Sequence, residues 1–214
     1  MWIIFCLLLW ASTAIAGEGI TLNYEKKTLP NGLRVILVEY HELPVVAVEL
    51  MVEAGSALDP ADRHGLAYLT SSLLLEGTTK KTAQELSEEI EFIGGTLRER
   101  CEYDFATLSA TSLKRDLPAI LGLLSQVILS PSFPEEESER HKEKSRVSIL
   151  REKDDRRIIA ERHMYELLFG NHPYGHPPIG TLEGLKVVTR FDVAEFHKRY
   201  YLPNNSILAV VGDF

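Results

Sequence analysis

Apolar and polar positions divide this chain into short strand-like blocks and longer helical ones. Thr28-Leu29-Pro30-Asn31-Gly32-Leu33-Arg34-Val35 reads as a β-hairpin in which Asn31-Gly32 supplies the positive φ angles of a tight turn. Its second strand is Leu33 to Glu39. Val45 to Val52 is nearly all apolar and β-branched, which predicts a central strand covered on both faces. A loop from Gly55 to Asp62 leads to a helix over roughly residues 63–76, stopped by Gly77. Thr82-Ala83-Gln84-Glu85 is a capping box for a helix ending at Gly94-Gly95, with Leu86, Ile90 and Ile93 as its apolar stripe.

Two strands are predicted next, over 96–102 and 104–112. Asp116 and Pro118 open a helix to Leu129 that is apolar on most faces, hence expected to be buried. Ser132 and Pro134 start a long charged helix with an acidic first turn. It runs past Glu152 to a break near Asp154-Asp155, before a further helical piece over 157–169. A Pro-rich loop over 171–181, a helix from Thr189 to Tyr201 and a strand from Ser206 to Val211 complete the pattern. Strands and helices come in blocks, so the class is α+β: a mostly antiparallel sheet of five to six strands packed against several helices.

Composition adds bounds. The chain has 214 residues, 45% apolar and 25% charged, as an ordinary folded protein does. A net charge of −8, with no basic stripe beyond the isolated pairs Lys80-Lys81 and Arg156-Arg157, excludes nucleic acid and anionic membrane surfaces as partners. Met1 to Ala16 reads as a signal peptide. Its apolar core is Ile3 to Trp10, and Ala14-Ile15-Ala16 is a cleavage site, although no Lys or Arg precedes the core. An exported protein is expected, periplasmic or extracellular, whose mature domain spans 17–214 and does not stay inserted in the membrane. Cys6 leaves with that segment. Cys101 remains alone, so no internal disulfide forms, and it reads as a thiol without chemical role.

The chemistry concentrates in His64-Gly65-Leu66-Ala67-Tyr68-Leu69-Thr70-Ser71-Ser72, continued by Leu73-Leu74-Leu75-Glu76-Gly77-Thr78. This stretch resembles the active-site helix of the pitrilysin (insulinase) family of zinc metallopeptidases, whose frame is H-G-x-A-H-x-x-E-H-x-x-x-x-G-T. In that frame Tyr68 stands for the first zinc-binding His, Ser71 for the catalytic Glu and Ser72 for the second His. Positions 68, 71 and 72 share a helix face, where two imidazoles and a carboxylate could hold zinc and deprotonate its water. A phenol and two hydroxyls are poor substitutes. The resemblance therefore implies the fold without its usual reaction, no catalytic residue at these positions, and no cofactor.

The family's third ligand, by the match of its V-I-L-R-E to Val147-Ser148-Ile149-Leu150-Arg151-Glu152, falls on Glu152. That residue reads either as a vestige of the ligand or as one more charge on a charged helix. A supporting acid falls on Ser145 and is missing. His64 is a structural or surface residue, and Glu76 a solvated one. His172 and His176, four apart, lie in a loop, which makes them a weak metal pair.

The family takes its substrate as an added strand on a sheet edge. Its G-G-x-x-N-A is Gly94-Gly95-Thr96-Leu97-Arg98-Glu99 here, which makes Thr96, Leu97, Arg98 and Glu99 the candidate substrate-binding residues. The family's domains come in pairs, so this chain reads as the N-terminal half of a longer one. The resemblance implies a non-catalytic subunit or half that assists a zinc-bearing pitrilysin-family chain as a heterodimer. Two alternatives stand: a zinc endopeptidase with displaced ligands such as His64 and Glu152, and a peptide-binding or assembly protein with no protease partner.

Overall fold

The computed structural model describes residues 23–214, so the signal-peptide expectation lies outside the described residues. Six strands form one open sheet: β1 (Glu25–Thr28), β2 (Arg34–Glu39), β3 (Val45–Val52), β4 (Thr96–Cys101), β5 (Ala106–Leu113) and β6 (Ser206–Gly212). Their order is β1-β2-β6-β3-β5-β4, and only β2–β6 pair in parallel. Among the described residues seven α-helices accompany them: α1 (Leu66–Ser72), α2 (Ala83–Phe92), α3 (Leu117–Leu129), α4 (Glu135–Arg151), α5 (Arg156–Phe169), α6 (Leu182–Val187) and α7 (Arg190–Tyr200). The α+β class and the mostly antiparallel sheet are as the sequence predicts.

Local details depart from expectation for physical reasons. In the β1–β2 hairpin only Gly32 takes positive φ, at 88°. Asn31 instead accepts a hydrogen bond from Leu33 N on its Oδ1, so the turn is longer than a two-residue one. β3 is central but covered on one face only. Val46, Val48, Leu50 and Val52 are buried in one core with residues of α1, α3, α4 and α7, while Val45, Ala47 and Glu49 face outward. Likewise α3 buries only Ile120, Leu123, Leu124 and Val127, leaving Leu129 exposed.

The helix expected over 63–76 is shorter. Gly65, at φ 106°, opens α1, and Leu73 to Glu76 continue as a tighter turn into Gly77. α1 is closed at its start by a loop side chain. Asp59 accepts hydrogen bonds from Gly65 N at 2.6 Å and Ala67 N at 2.8 Å, so two amides that would lack a helical partner are satisfied. The capping box at Thr82/Glu85 forms as predicted, and Thr189/Asp192 forms a second one for α7. The break after α4 is a single turn, Glu152–Asp154, from which Asp155 caps α5. The core lies between the sheet and α1, α3, α4 and α7, around the fully buried Leu69, Leu73, Leu74, Leu108 and Ile120.

Candidate functional site

α1 is an apolar helix buried on nearly all sides, so its polar residues must look for partners within the protein. Tyr68 is half-buried. Burial pushes its phenol up from the ordinary value; the Ser72 hydroxyl draws it down, and Glu99 and Cys101 on β4 push it up again. The phenol is therefore neutral at neutral pH. Ser71 and Ser72 are buried, at 1% and 7% exposure. Ser71 looks inward toward Tyr201 at the end of α7. The Ser71 and Tyr201 hydroxyls receive no directed hydrogen bond, although Ser71 is close enough to act on the Tyr201 phenol, which burial holds far above its ordinary value. Position 71 thus faces core, not an open cleft.

Glu152 sits in the turn after α4, its carboxylate against the Arg162 guanidinium of α5. Ser145 is buried on α4. Among the described residues, Glu152 belongs to no converging group of three or more His, Cys, Asp or Glu side chains. A neutral phenol, two buried hydroxyls and an ion-paired carboxylate do not fit the imidazole-rich donor set of a catalytic zinc.

His64 and His176 stack face to face, ring centroids 3.9 Å apart, and burial lowers the proton affinity of both. They are packing partners, with His64 wedged at the start of α1. His172 accepts a bond from Tyr174 N on its own loop, and the Tyr174 hydroxyl donates to Asp104 at 2.6 Å. Through Tyr174, Tyr103, Tyr165 and Phe169, an aromatic cluster fastens α5 to the β4–β5 turn. Glu76, expected to be solvated, is instead paired: His141 Nε2 lies 2.6 Å from one oxygen and Arg140 donates to the other at 3.0 Å. Burial pushes the Cys101 thiol up to about 12, so it stays protonated and inert.

β4 is an edge strand, with β5 on one side and no strand on the other among the described residues. Thr96 and Arg98 are exposed, while Leu97 enters the core and Glu99 points to the helical side. The four candidate substrate-binding residues therefore divide between the two faces of the sheet. Beside this edge, Glu49, Arg98, Arg100, Tyr103, Thr107 and Ser109 help line an open, polar cleft of about 750 Å³. Glu137 and His141 on α4 and Tyr201 after α7 are site neighbours that sequence reasoning missed. The E-x-x-x-H spacing of the first two was a visible signal.

The profile of the insulinase family, peptidase family M16, matches residues 34–182. An uncharacterized zinc protease of Mycobacterium leprae is 29% identical over 188 residues, covering 88% of this chain and 42% of that one. The crystal structure of a peptidase M16 inactive domain from Pseudomonas fluorescens superposes with a TM-score of 0.87 at 28% identity, covering 90% of this chain and 47% of that one. The first half of the periplasmic protease PqqL of Escherichia coli shares the fold, with a TM-score of 0.80 at 21% identity over 89% of this chain and 42% of that one. The chain thus spans less than half the length of these proteins. With the family profile covering most of the chain, and relatives and structures of the same kind covering nearly all of it, the chain belongs to the insulinase family, peptidase family M16.

Proposed function

We propose that this domain is a non-catalytic member of the family that helps a zinc-bearing family chain hold and cleave peptides. The observation that carries the reading is the substitution within the α1 frame. Tyr68 and Ser72 stand where two imidazoles would bind zinc, and Ser71, facing Tyr201, stands where a base would be needed. Retention of the free β4 edge supports a peptide-holding role. A peptide strand can pair with main-chain N–H and C=O groups whatever the side chains, with Thr96, Arg98 and the polar cleft biasing its choice. The Pseudomonas fluorescens structure described as an inactive M16 domain supports the same reading.

On this reading the chain is the N-terminal half of a two-domain protein, exported after cleavage behind Ala16, and no zinc is held at positions 68 and 72. Its partner is a family chain with an intact H-x-x-E-H helix. Affinity isolation of the tagged protein from its native extract tests this. Recovery of such a chain, with higher peptidase activity in the complex than in the partner alone, is expected. A protein that stays monomeric in the presence of its co-expressed catalytic homologue overturns the proposal.

A further inference from the structure

At the far end of α1 from Tyr68, three metal-competent side chains converge. Glu76 comes from the turn that ends α1; Glu137 and His141 come from α4, four residues apart and hence on one helix face. Their ligand atoms lie within 4.8 Å of one another, the one such group of three among the described residues. The three side chains are mostly shielded, at 17%, 26% and 15% exposure. Glu137 Oε2 is shut off from solvent and is held by the Arg140 guanidinium one turn along α4. Burial raises the proton affinity of Glu99 on β4, with smaller opposing influences from His141 and Glu76, which places a third carboxylate in the surroundings.

Arg140 is the one Arg or Lys paired with Glu76 and Glu137 among the described residues, and the His141 imidazole is their other partner. Two shielded carboxylates share one guanidinium and one imidazole, so a divalent cation at their point of convergence neutralises charge that Arg140 offsets only in part. Arg140, half-exposed, can swing out to water while the three remaining groups keep their positions. One imidazole and two carboxylates form an N/O donor set suited to zinc, and the imidazole disfavours magnesium and calcium.

We infer that Glu76, Glu137 and His141 form a zinc-binding site that clips the end of α1 to α4. None of these residues belongs to the H-x-x-E-H frame, and the site stands whether or not the non-catalytic reading holds. Its role is cross-linking: it fixes the helical layer behind the β4 edge, where Glu99 lies.

Titration of the full chain with cobalt(II), followed by visible absorption and by displacement with zinc, tests the site. One equivalent is expected to bind with a ligand-field spectrum. Glu137→Gln and His141→Ala should each weaken zinc by at least roughly tenfold. Arg140→Ala should tighten it, because a competing cation is gone. Glu152→Gln and Tyr68→Phe should leave it unchanged. No stoichiometric binding by folded wild-type protein, or binding undiminished by His141→Ala, overturns the inference. Circular dichroism establishes that each variant is folded.

Discussion

Asp59 joins the two kinds of residue in this site, those the frame made visible and those it hid. It lies outside the H-G-x-A pattern, yet it closes α1 by accepting bonds from Gly65 N and Ala67 N. Burial outweighs those two bonds and pushes its carboxyl up to about 7. In an unfolded chain an aspartate titrates near ~4, so the protonated form is favoured by folding. Its contribution is therefore complete below about pH 4, declines as pH rises, and is lost above about pH 7, with a slope of at most ~1.4 kcal/mol per pH unit. Urea unfolding at pH 5 and pH 7 should show stability changing less favourably with rising pH in the wild type than in Asp59→Asn, because only the wild type loses this contribution while the buried His64, His176 and His197 act in the opposite direction in both. An equal or less favourable change in the variant would show that another group governs this window. The frame residues themselves were legible because a helix makes neighbours of i, i+3 and i+4. Partners such as Tyr201 facing Ser71, or His141 facing Glu76, were not. They depend on long-range packing: α1 against α7 and α4.

Elements were read best where capping chemistry is local. The Thr82/Glu85 box fixed the start of α2, and Thr82→Ala should cost about 1 kcal/mol of unfolding free energy, with Thr82→Ser close to wild type. Chemical denaturation decides this, and an unchanged midpoint for Thr82→Ala would mean that the cap is redundant. What failed was the reading of faces. Val45 to Val52 looks two-sided because Val45, Ala47 and Met51 are apolar too, but a single helical layer leaves that side uncovered. α6 escaped notice because it has six residues and contains a glycine, Gly184, packed against the His64 backbone. It is too short to show a helical period. α5 was placed within a residue, yet nothing in its sequence showed that aromatic contacts with the β4–β5 turn would hold it, since none of its residues is buried.

At the scale of the molecule, one face of the sheet is open, with charged side chains at the β4 end, while the other carries the core. The free β4 edge borders both. The partner-dependent role proposed above uses this asymmetry, with a peptide at the edge and a second chain supplying the reactive zinc. The Glu76–Glu137–His141 site is compatible with it, because zinc held there ties α4 to the end of α1 outside the H-x-x-E-H frame.

The claim underneath all of this is that the α1 frame holds no catalytic zinc. Hydrolysis of an unstructured peptide by the purified full chain, with and without one equivalent of added zinc, tests that claim most directly. No turnover above the buffer rate is expected in either condition, even when zinc is bound. Zinc-dependent cleavage that a chelator stops and that Tyr68→Phe also abolishes would contradict it.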